Sequence, residues 1–272
     1  MNSFNVDKEV IIYDFLKEKM TLSKNSIKNL LHNRYVYVNE KCITKYDYNL
    51  KKNDIVSIKS TNDLDIIYED KNIIVVNKPY GLLTVSTSNE KEKTLYKMVS
   101  NYVKKTNKKN KIFIINRIDK DTSGIVMFSK SEIIKKIYQN NWNNLVKSRN
   151  YLAIVKGILN KKEGEIKSNL LEDKNHIVHS SKNGKLAITR YKVLKEKNGL
   201  SLLDINILTG RKNQIRVHMK ENNTPILGDS KYGKKEKTRM YLHAYKLSII
   251  NPINKKNMEF KTNIPNEFNK II

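Results

Sequence analysis

Nine consecutive residues, Asn116-Arg117-Ile118-Asp119-Lys120-Asp121-Thr122-Ser123-Gly124, form the most chemically crowded stretch of the sequence. They place two carboxylates, two cations, a Thr-Ser pair and a glycine between two apolar runs, Ile112 to Ile115 and Ile125 to Phe128. Short apolar runs of this kind read as core strands. The loop between them therefore brings ionisable groups to the edge of a core, where they are tolerated when paired or used in binding or catalysis. The structural alternative is a polar hairpin turn in which Asp121 bonds to nearby backbone. A second polar run, Thr209-Gly210-Arg211-Lys212-Asn213, opens a helical pattern over Asn213–Lys220 that carries Arg216 and His218. His176 and His179 are spaced three apart, but no Cys, Asp or Glu cluster nearby completes a metal-ligand set, so no metal is expected.

The elements that must position these loops are mostly strands. Strand-like runs lie at Ile66–Tyr68, Ile73–Val76, Ile112–Ile115, Ile125–Phe128, Tyr151–Val155, Ile188–Leu194 and Leu202–Ile207. Helical patterns are fewer, at Leu95–Val103, Ser131–Trp142 and Asn213–Lys220. Strands and helices do not alternate regularly, which predicts an α+β fold with a mixed, mostly antiparallel sheet. Ahead of this region the apolar positions Ile12, Phe15, Leu16 and Met20 mark a helix within residues 8–20. Ser23 is placed to cap a second helix that turns Ile27, Leu30 and Leu31 inward and Lys24 and Lys28 outward. Short strands follow at Tyr35–Val38 and Ile55–Ile58, and a polar linker at 59–65. Two domains result, a small one over 1–60 and a large one over 65–272. Lys104 to Lys111 reads as a basic, solvated loop.

With 53 Lys+Arg against 27 Asp+Glu in 272 residues, the formal net charge is +26. Such a charge favours a polyanionic partner, nucleic acid first. Lys, Asn and Ile are abundant throughout, so part of the charge is ordinary solvated surface. One cysteine, Cys42, excludes an intramolecular disulfide. The first ten residues contain no apolar signal core, and no run reaches the roughly 18 apolar residues of a membrane span. A cytoplasmic monomer that works without a membrane is the expectation.

The run Asn116 to Lys130 resembles the catalytic signature of the RluA-type RNA pseudouridine synthases: His-Arg-Leu-Asp, two variable residues, Thr-Ser-Gly, then an apolar strand. Here Asn116 stands for the His and Ile118 for the Leu, while Arg117, Asp119 and Thr122-Ser123-Gly124 are intact. Further blocks match in order. Arg149 to Gly157 looks like the family's tyrosine strand, and Thr209 to His218 like its second-arginine motif, with Lys212-Asn213 where the family more often has Thr-His. Pro225-Ile226-Leu227-Gly228-Asp229 with Tyr232-Gly233, then Leu242-His243-Ala244 and Asn251-Pro252, continue the match, and Asn77-Lys78-Pro79-Tyr80-Gly81 leads into it. The likeness spans roughly residues 65–270. Within 21–58, Val36-Tyr37-Val38-Asn39 and Lys52-Asn53-Asp54-Ile55-Val56 resemble the RNA-binding domain named after the fourth small-subunit ribosomal protein.

What the resemblance implies is a cofactor-free isomerase that detaches uracil from its ribose, turns it and rejoins it through carbon 5. Asp119 matches the catalytic carboxylate, acting as nucleophile or as the base that gives a glycal. Arg216 matches the arginine that pairs with it, suited by its permanent charge and two-pronged geometry. Tyr151 matches the tyrosine that packs on the uracil, and Arg117 the arginine that fills the space of the flipped nucleotide. Arg211 is a candidate for the RNA backbone. Lys24, Lys28, His32 and Arg34 are the candidates on the N-terminal module. His218 and His243 read as structural, and Trp142 as packing a helix. Asn116 and Asn213 keep hydrogen-bonding capacity but cannot titrate near neutral pH. The implied substrate is uridine in structured RNA, ribosomal RNA ahead of transfer RNA. The rival reading is a non-catalytic RNA-binding or ribosome-assembly protein.

Overall fold

The structure, a computed structural model, describes residues 2–32, 35–39, 41–58, 64–87, 90, 93–236 and 238–272. The chain divides into two units, Met1–Asp63 and Leu64–Ile272. Among the described residues no helix is long and apolar enough to cross a membrane.

The first unit runs β1 (Asn2–Asn5), β2 (Val10–Ile11), α1 (Ile12–Lys19), α2 (Lys24–His32), β3 (Val36–Val38), β4 (Lys41–Cys42), β5 (Asn49–Leu50) and β6 (Ile55–Ile58). Ile12, Phe15 and Leu16 of α1 and Ile27 and Leu31 of α2 recur at helical spacing, and they share one core with Val36, Val38, Leu50 and Val56. The Ser26 amide donates to Ser23 Oγ at 3.2 Å, so Ser23 caps α2. The strands form an antiparallel sheet in the order β1-β6-β3-β4, and β2 pairs with β5. Strand β1 carries a single apolar residue, Phe4; backbone pairing with β6 makes it a strand, not a side-chain pattern. Arg34, and most of the linker expected over 59–65, lie outside the described residues.

The second unit runs β7 (Ile66–Glu69), β8 (Ile73–Lys78), α3 (Leu95–Thr106), β9 (Phe113–Ile114), β10 (Ser123–Ser129), α4 (Glu132–Asn140), α5 (Trp142–Leu145), β11 (Val146–Lys156), β12 (Glu163–Glu172), β13 (Val178–Ser180), β14 (Lys185–Lys197), β15 (Leu200–Ile207), α6 (Gln214–Glu221), β16 (Leu242–Ile250), β17 (Asn257–Lys261) and α7 (Asn266–Ile271). One sheet takes the order β13-β12-β14-β15-β11-β16-β10-β8-β7, with β17 on β16 and β9 on β10. The fold is thus α+β around a mixed, mostly antiparallel sheet.

Central strands are covered on both faces. Alternate residues of β8 and β10 divide between two cores: Ile73, Val75, Ile125 and Met127 meet α4 and α5, while Ile74, Val76, Val126 and Phe128 meet α3. On β11, Tyr151, Ala153 and Val155 face α6, and Leu152 and Ile154 face Phe268 of α7.

Three elements depart from the sequence reading. The helix expected over Ser131–Trp142 breaks at Asn141, whose amide side chain donates to the Ile137 carbonyl and stops α4 there. Lys104 to Thr106 finish α3, so only residues 107–111 remain as the basic loop. Of Ile112–Ile115, only Phe113 and Ile114 pair as a strand.

Two antiparallel halves meet where β10 runs parallel to β16, with Ser123 opposite His243 and Gly124 opposite Ala244. At this seam Gly124 adopts φ +117°, and a Cβ built on it would stand 2.1 Å from the Ala244 carbonyl oxygen. Only glycine allows both the backbone conformation and the approach. Gly124→Ala is expected to lower stability by about 2 kcal/mol or more, read as a drop in the urea midpoint.

His243 sits at the same seam. Arg239 Nη2 donates to Ser123 Oγ at 2.6 Å, which leaves the serine proton for His243 Nδ1 at 2.9 Å, while Nε2 faces Thr262 Oγ1 at 2.6 Å. Burial, with Arg239 adding, pushes this imidazole down to about 3. Unfolded, it titrates near 6.5. Between those values the unfolded chain binds more protons, so stability is lost as pH falls from about 6.5 toward 3, by at most about 1.4 kcal/mol per pH unit from this group. Urea midpoints measured from pH 7 to 4.5 should fall less steeply in His243→Asn than in the parent chain.

Candidate active site

Two loops build the site. One joins β9 to β10 and carries Asp119; the other joins β15 to α6 and carries Arg211 to Asn213. Asn213 turns the chain into α6 with φ +53°, a left-handed conformation that asparagine tolerates. Gln214 then fastens the second loop to β14. Its Oε1 accepts from Thr209 Oγ1 and the Arg211 amide, and its Nε2 donates to the Ile188 carbonyl and Thr189 Oγ1. With that turn fixed, α6 aims Arg216 at Asp119.

Arg216 holds two carboxylates at once. Its Nε and Nη2 donate to Asp229 Oδ2 and Oδ1, both at 2.7 Å, and its Nη1 donates to Asp119 Oδ2 at 3.1 Å. Asp229 also accepts from the amides of Lys231 and Tyr232. The Tyr232 ring lies 5.1 Å from the guanidinium carbon. Side-chain exposure is 9% for Arg216 and 1% for Asp229, against 32% for Asp119. Burial alone would raise the Asp229 carboxyl; the Arg216 fork and the two amides outweigh it and hold the group below its ordinary value. Burial likewise opposes the Arg216 charge, and Asp229 and Asp119 together more than restore it.

Asp119 Oδ2 is taken twice, by Arg216 and by Asn213 Nδ2 at 2.6 Å. Among the described residues nothing bonds to Oδ1. The carboxylate opens on a cleft of about 1180 Å³ whose walls include Arg117, Trp142, Arg149, Tyr151, Arg211 and Leu242. Tyr151 is buried in the wall, and burial holds its hydroxyl above the ordinary tyrosine value, with Arg149 opposing and the Asp119 charge adding.

Beneath the Asp119 loop lies Lys78, fully buried. Its Nζ donates to the carbonyls of Leu82 at 2.6 Å and of Pro79 and Lys120 at 3.0 Å. Burial pushes this amine down to about 7 against the pull of Asp121 and Asp119, while three carbonyls around one nitrogen favour the three N–H donors of the ammonium. Thr84 Oγ1 donates to the Ile118 carbonyl at 2.7 Å and the Gly81 amide to that of Lys120 at 3.0 Å. The residues on either side of Asp119 are therefore tied down through their backbone.

The RNA pseudouridylate synthase family matches residues 72–221. The chain is 31% identical to the uncharacterized RNA pseudouridine synthase MG209 of Mycoplasma genitalium, over 93% of this chain and 88% of that one. The chain belongs to the RNA pseudouridine synthase family. It is also 33% identical to the ribosomal large subunit pseudouridine synthase C of Rickettsia bellii, over 76% of this chain and 70% of that one. In fold it resembles the human RNA pseudouridylate synthase domain containing 4, with a TM-score of 0.63 at 22% identity over 75% of this chain and 89% of that one.

Of the residues singled out in this pseudouridine synthase from sequence, Asp119, Arg216, Tyr151, Arg117 and Arg211 all line one cleft. Arg117 and Arg211 are exposed at it. Lys24 and Lys28 are exposed on α2 of the other unit, where Lys28 Nζ lies 5.4 Å from the Tyr46 ring. Arg34 lies outside the described residues. Asn213, taken as a departure from the family pattern, donates directly to Asp119. Asn116 accepts from the Met127 amide at 2.8 Å and braces the edge of β10. Among the described residues no cluster of His, Cys, Asp or Glu is arranged to hold a metal. The sequence reading assigned no role to Asp229 or Lys78, although both stood inside quoted blocks. The usable signal was an ionisable residue beside a turn glycine or proline, Gly228-Asp229 and Lys78-Pro79. Asp229→Ala would leave the buried Arg216 half paired, and is expected to cost about 3 kcal/mol of stability, measured by urea denaturation against Asp119→Ala, which removes the more exposed partner and should cost less.

Proposed function

We propose that this enzyme converts uridine to pseudouridine in large-subunit ribosomal RNA, with Asp119 as its catalytic carboxylate. The observation that carries the reading is the division of labour at that side chain: Oδ2 held by Arg216 and Asn213, Oδ1 unpartnered in a cleft shared with Tyr151. A carboxylate oriented through one oxygen keeps the other for the ribose. The name of the Rickettsia bellii relative supports the choice of ribosomal RNA, and so does the formal charge of +26.

In the reaction the bond between ribose C1′ and uracil N1 breaks, a bond between C1′ and C5 forms, the C5 proton leaves and N1 gains a proton. Atoms and electrons balance without oxidant or reductant. Asp119 Oδ1 either bonds transiently to the substrate or takes a ribose proton to give a glycal and later returns it; its position suits both. Tyr151 offers an aromatic wall that holds the free uracil in either orientation. Its hydroxyl, held protonated by burial, is available to assist loss of the C5 proton once a base accepts from it. Arg117 enters the space left by the flipped nucleotide, and Arg211 meets the RNA backbone. Residues 1–60 serve as an RNA-binding module with Lys24, Lys28 and Arg34 toward phosphates, and residues 65–272 carry the chemistry. The protein acts as a monomer.

The test is pseudouridine mapping by carbodiimide labelling and primer extension on ribosomal and transfer RNA. Cells with the intact gene, a deletion and Asp119→Asn are compared. Defined stops in large-subunit RNA should vanish in the deletion, and Asp119→Asn should lower formation of those sites at least about 100-fold. Stops that persist at full strength in both strains would count against the assignment.

A further inference from the structure

The arginines of the catalytic cleft are not alike. Arg216 is fully engaged by two carboxylates. Arg117 and Arg211 are exposed, and Arg211 Nε donates to the Leu186 carbonyl at 2.9 Å. Arg149, on β11 two residues before Tyr151, is half-buried and lines the same cleft. Its guanidinium carbon lies 5.5 Å from the Trp142 ring, and Nη1 would stand 2.7 Å from a Cβ built on Gly210. The group is thus held between an indole face and a stretch of bare backbone. Among the described residues no carboxylate or carbonyl accepts from it. Of the cleft carboxylates, Asp119 bonds to Arg216 and Asn213 through Oδ2, and Glu172 to Lys212 and His176; among the described residues neither bonds to Arg149. Burial weakens the hold of Arg149 on its proton, nearby Tyr151 supports that hold, and Arg211 adds repulsion.

A desolvated cation without an acceptor opposes folding. Its partner in use has to be an anion that arrives with the substrate. A planar fork resting on an aromatic ring matches the oxygens of a phosphodiester. We infer that Arg149, backed by Trp142 and Gly210, is a binding site for a phosphodiester of the RNA strand at the nucleotide undergoing reaction. The location of that phosphate beside the target base rests on the proposed isomerase reading; the affinity of the site for RNA phosphate does not.

The test uses the full chain and a fluorescein-labelled twelve-residue oligouridylate, with anisotropy titrations from 50 to 300 mM KCl. Arg149→Gln should weaken binding about tenfold at the lowest salt and flatten the slope of log Kd against log salt by about 0.7, the value of one single-strand phosphate contact. Arg149→Lys should restore the slope, since it restores the charge, with only part of the affinity. The Tm of Arg149→Gln should equal or exceed that of the parent. A purely structural arginine predicts the opposite pattern, a lower Tm with an unchanged slope, and that result overturns the inference, as does failure of the parent chain to bind the oligonucleotide. If Asp119→Asn leaves the ribosomal stops intact while Arg149→Gln flattens the slope, the isomerase reading falls and the phosphate site stands. If Asp119 is needed for the stops and the slope is unmoved, the reverse holds.

Discussion

Arg216 sits between two carboxylates, one buried and one open to the cleft, and its planar fork is what lets it serve both. The pair of donors on Asp229 leaves the guanidinium a single orientation, and the remaining Nη1 then points at Asp119. Remove that constraint and Asp119 keeps only the Asn213 amide on Oδ2. A lysine at the same position would carry the charge but not the geometry, because an ammonium is a point donor without a fixed plane. The site therefore depends on a buried ion pair that does not itself touch the open oxygen. Such pairs contribute little net stability once desolvation is counted; here the orientation is the useful result.

The same logic extends under the loop. Lys78 gathers three carbonyls that secondary structure leaves unused, including that of Lys120, the neighbour of Asp119. Gly124 brings β10 against β16 immediately beyond the loop. Between these two anchors the Asp119 segment is short and irregular, yet its backbone is held at Ile118 and Lys120. Rigidity at Asp119 thus comes from a buried lysine, a glycine seam and one guanidinium, each of which joins segments distant in sequence. Buried polar groups of this kind are stable only when every donor finds an acceptor.

Charge in the catalytic unit divides by whether a partner is present. Arg216 pairs with Asp229 and Asp119, Lys130 pairs with Glu69 at 2.6 Å, and Lys78 is bonded by three carbonyls. Arg117, Arg149 and Arg211 line the cleft without carboxylate partners among the described residues. The excess of positive charge read from composition therefore has a local expression at the place where an RNA strand would lie, and it does not depend on the lysines spread over the rest of the surface.

What the sequence by itself determined was local or ordered along the chain. Helices α1 to α3 follow from apolar spacing, the cap at Ser23 from a hydroxyl at the right offset, and β8, β10 and β15 from short apolar runs. The order of the motif blocks pointed to the family and singled out Asp119, because that residue lies in a signature read continuously. Periodicity failed where it has no purchase. Strand β1 has one apolar side chain and β12 presents mostly exposed ones, so backbone pairing with β6 and β14 defines them more than any apolar pattern. The tertiary structure alone decided that Asp229 locks Arg216, that Lys78 holds the loop, that Asn213 donates to Asp119, and that Arg149 lacks an acceptor. Each of these is a relation between groups that the fold brings together, as where β10 lies between β8 and β16. Such contacts depend on which strands are neighbours, and no spacing within a single segment encodes that.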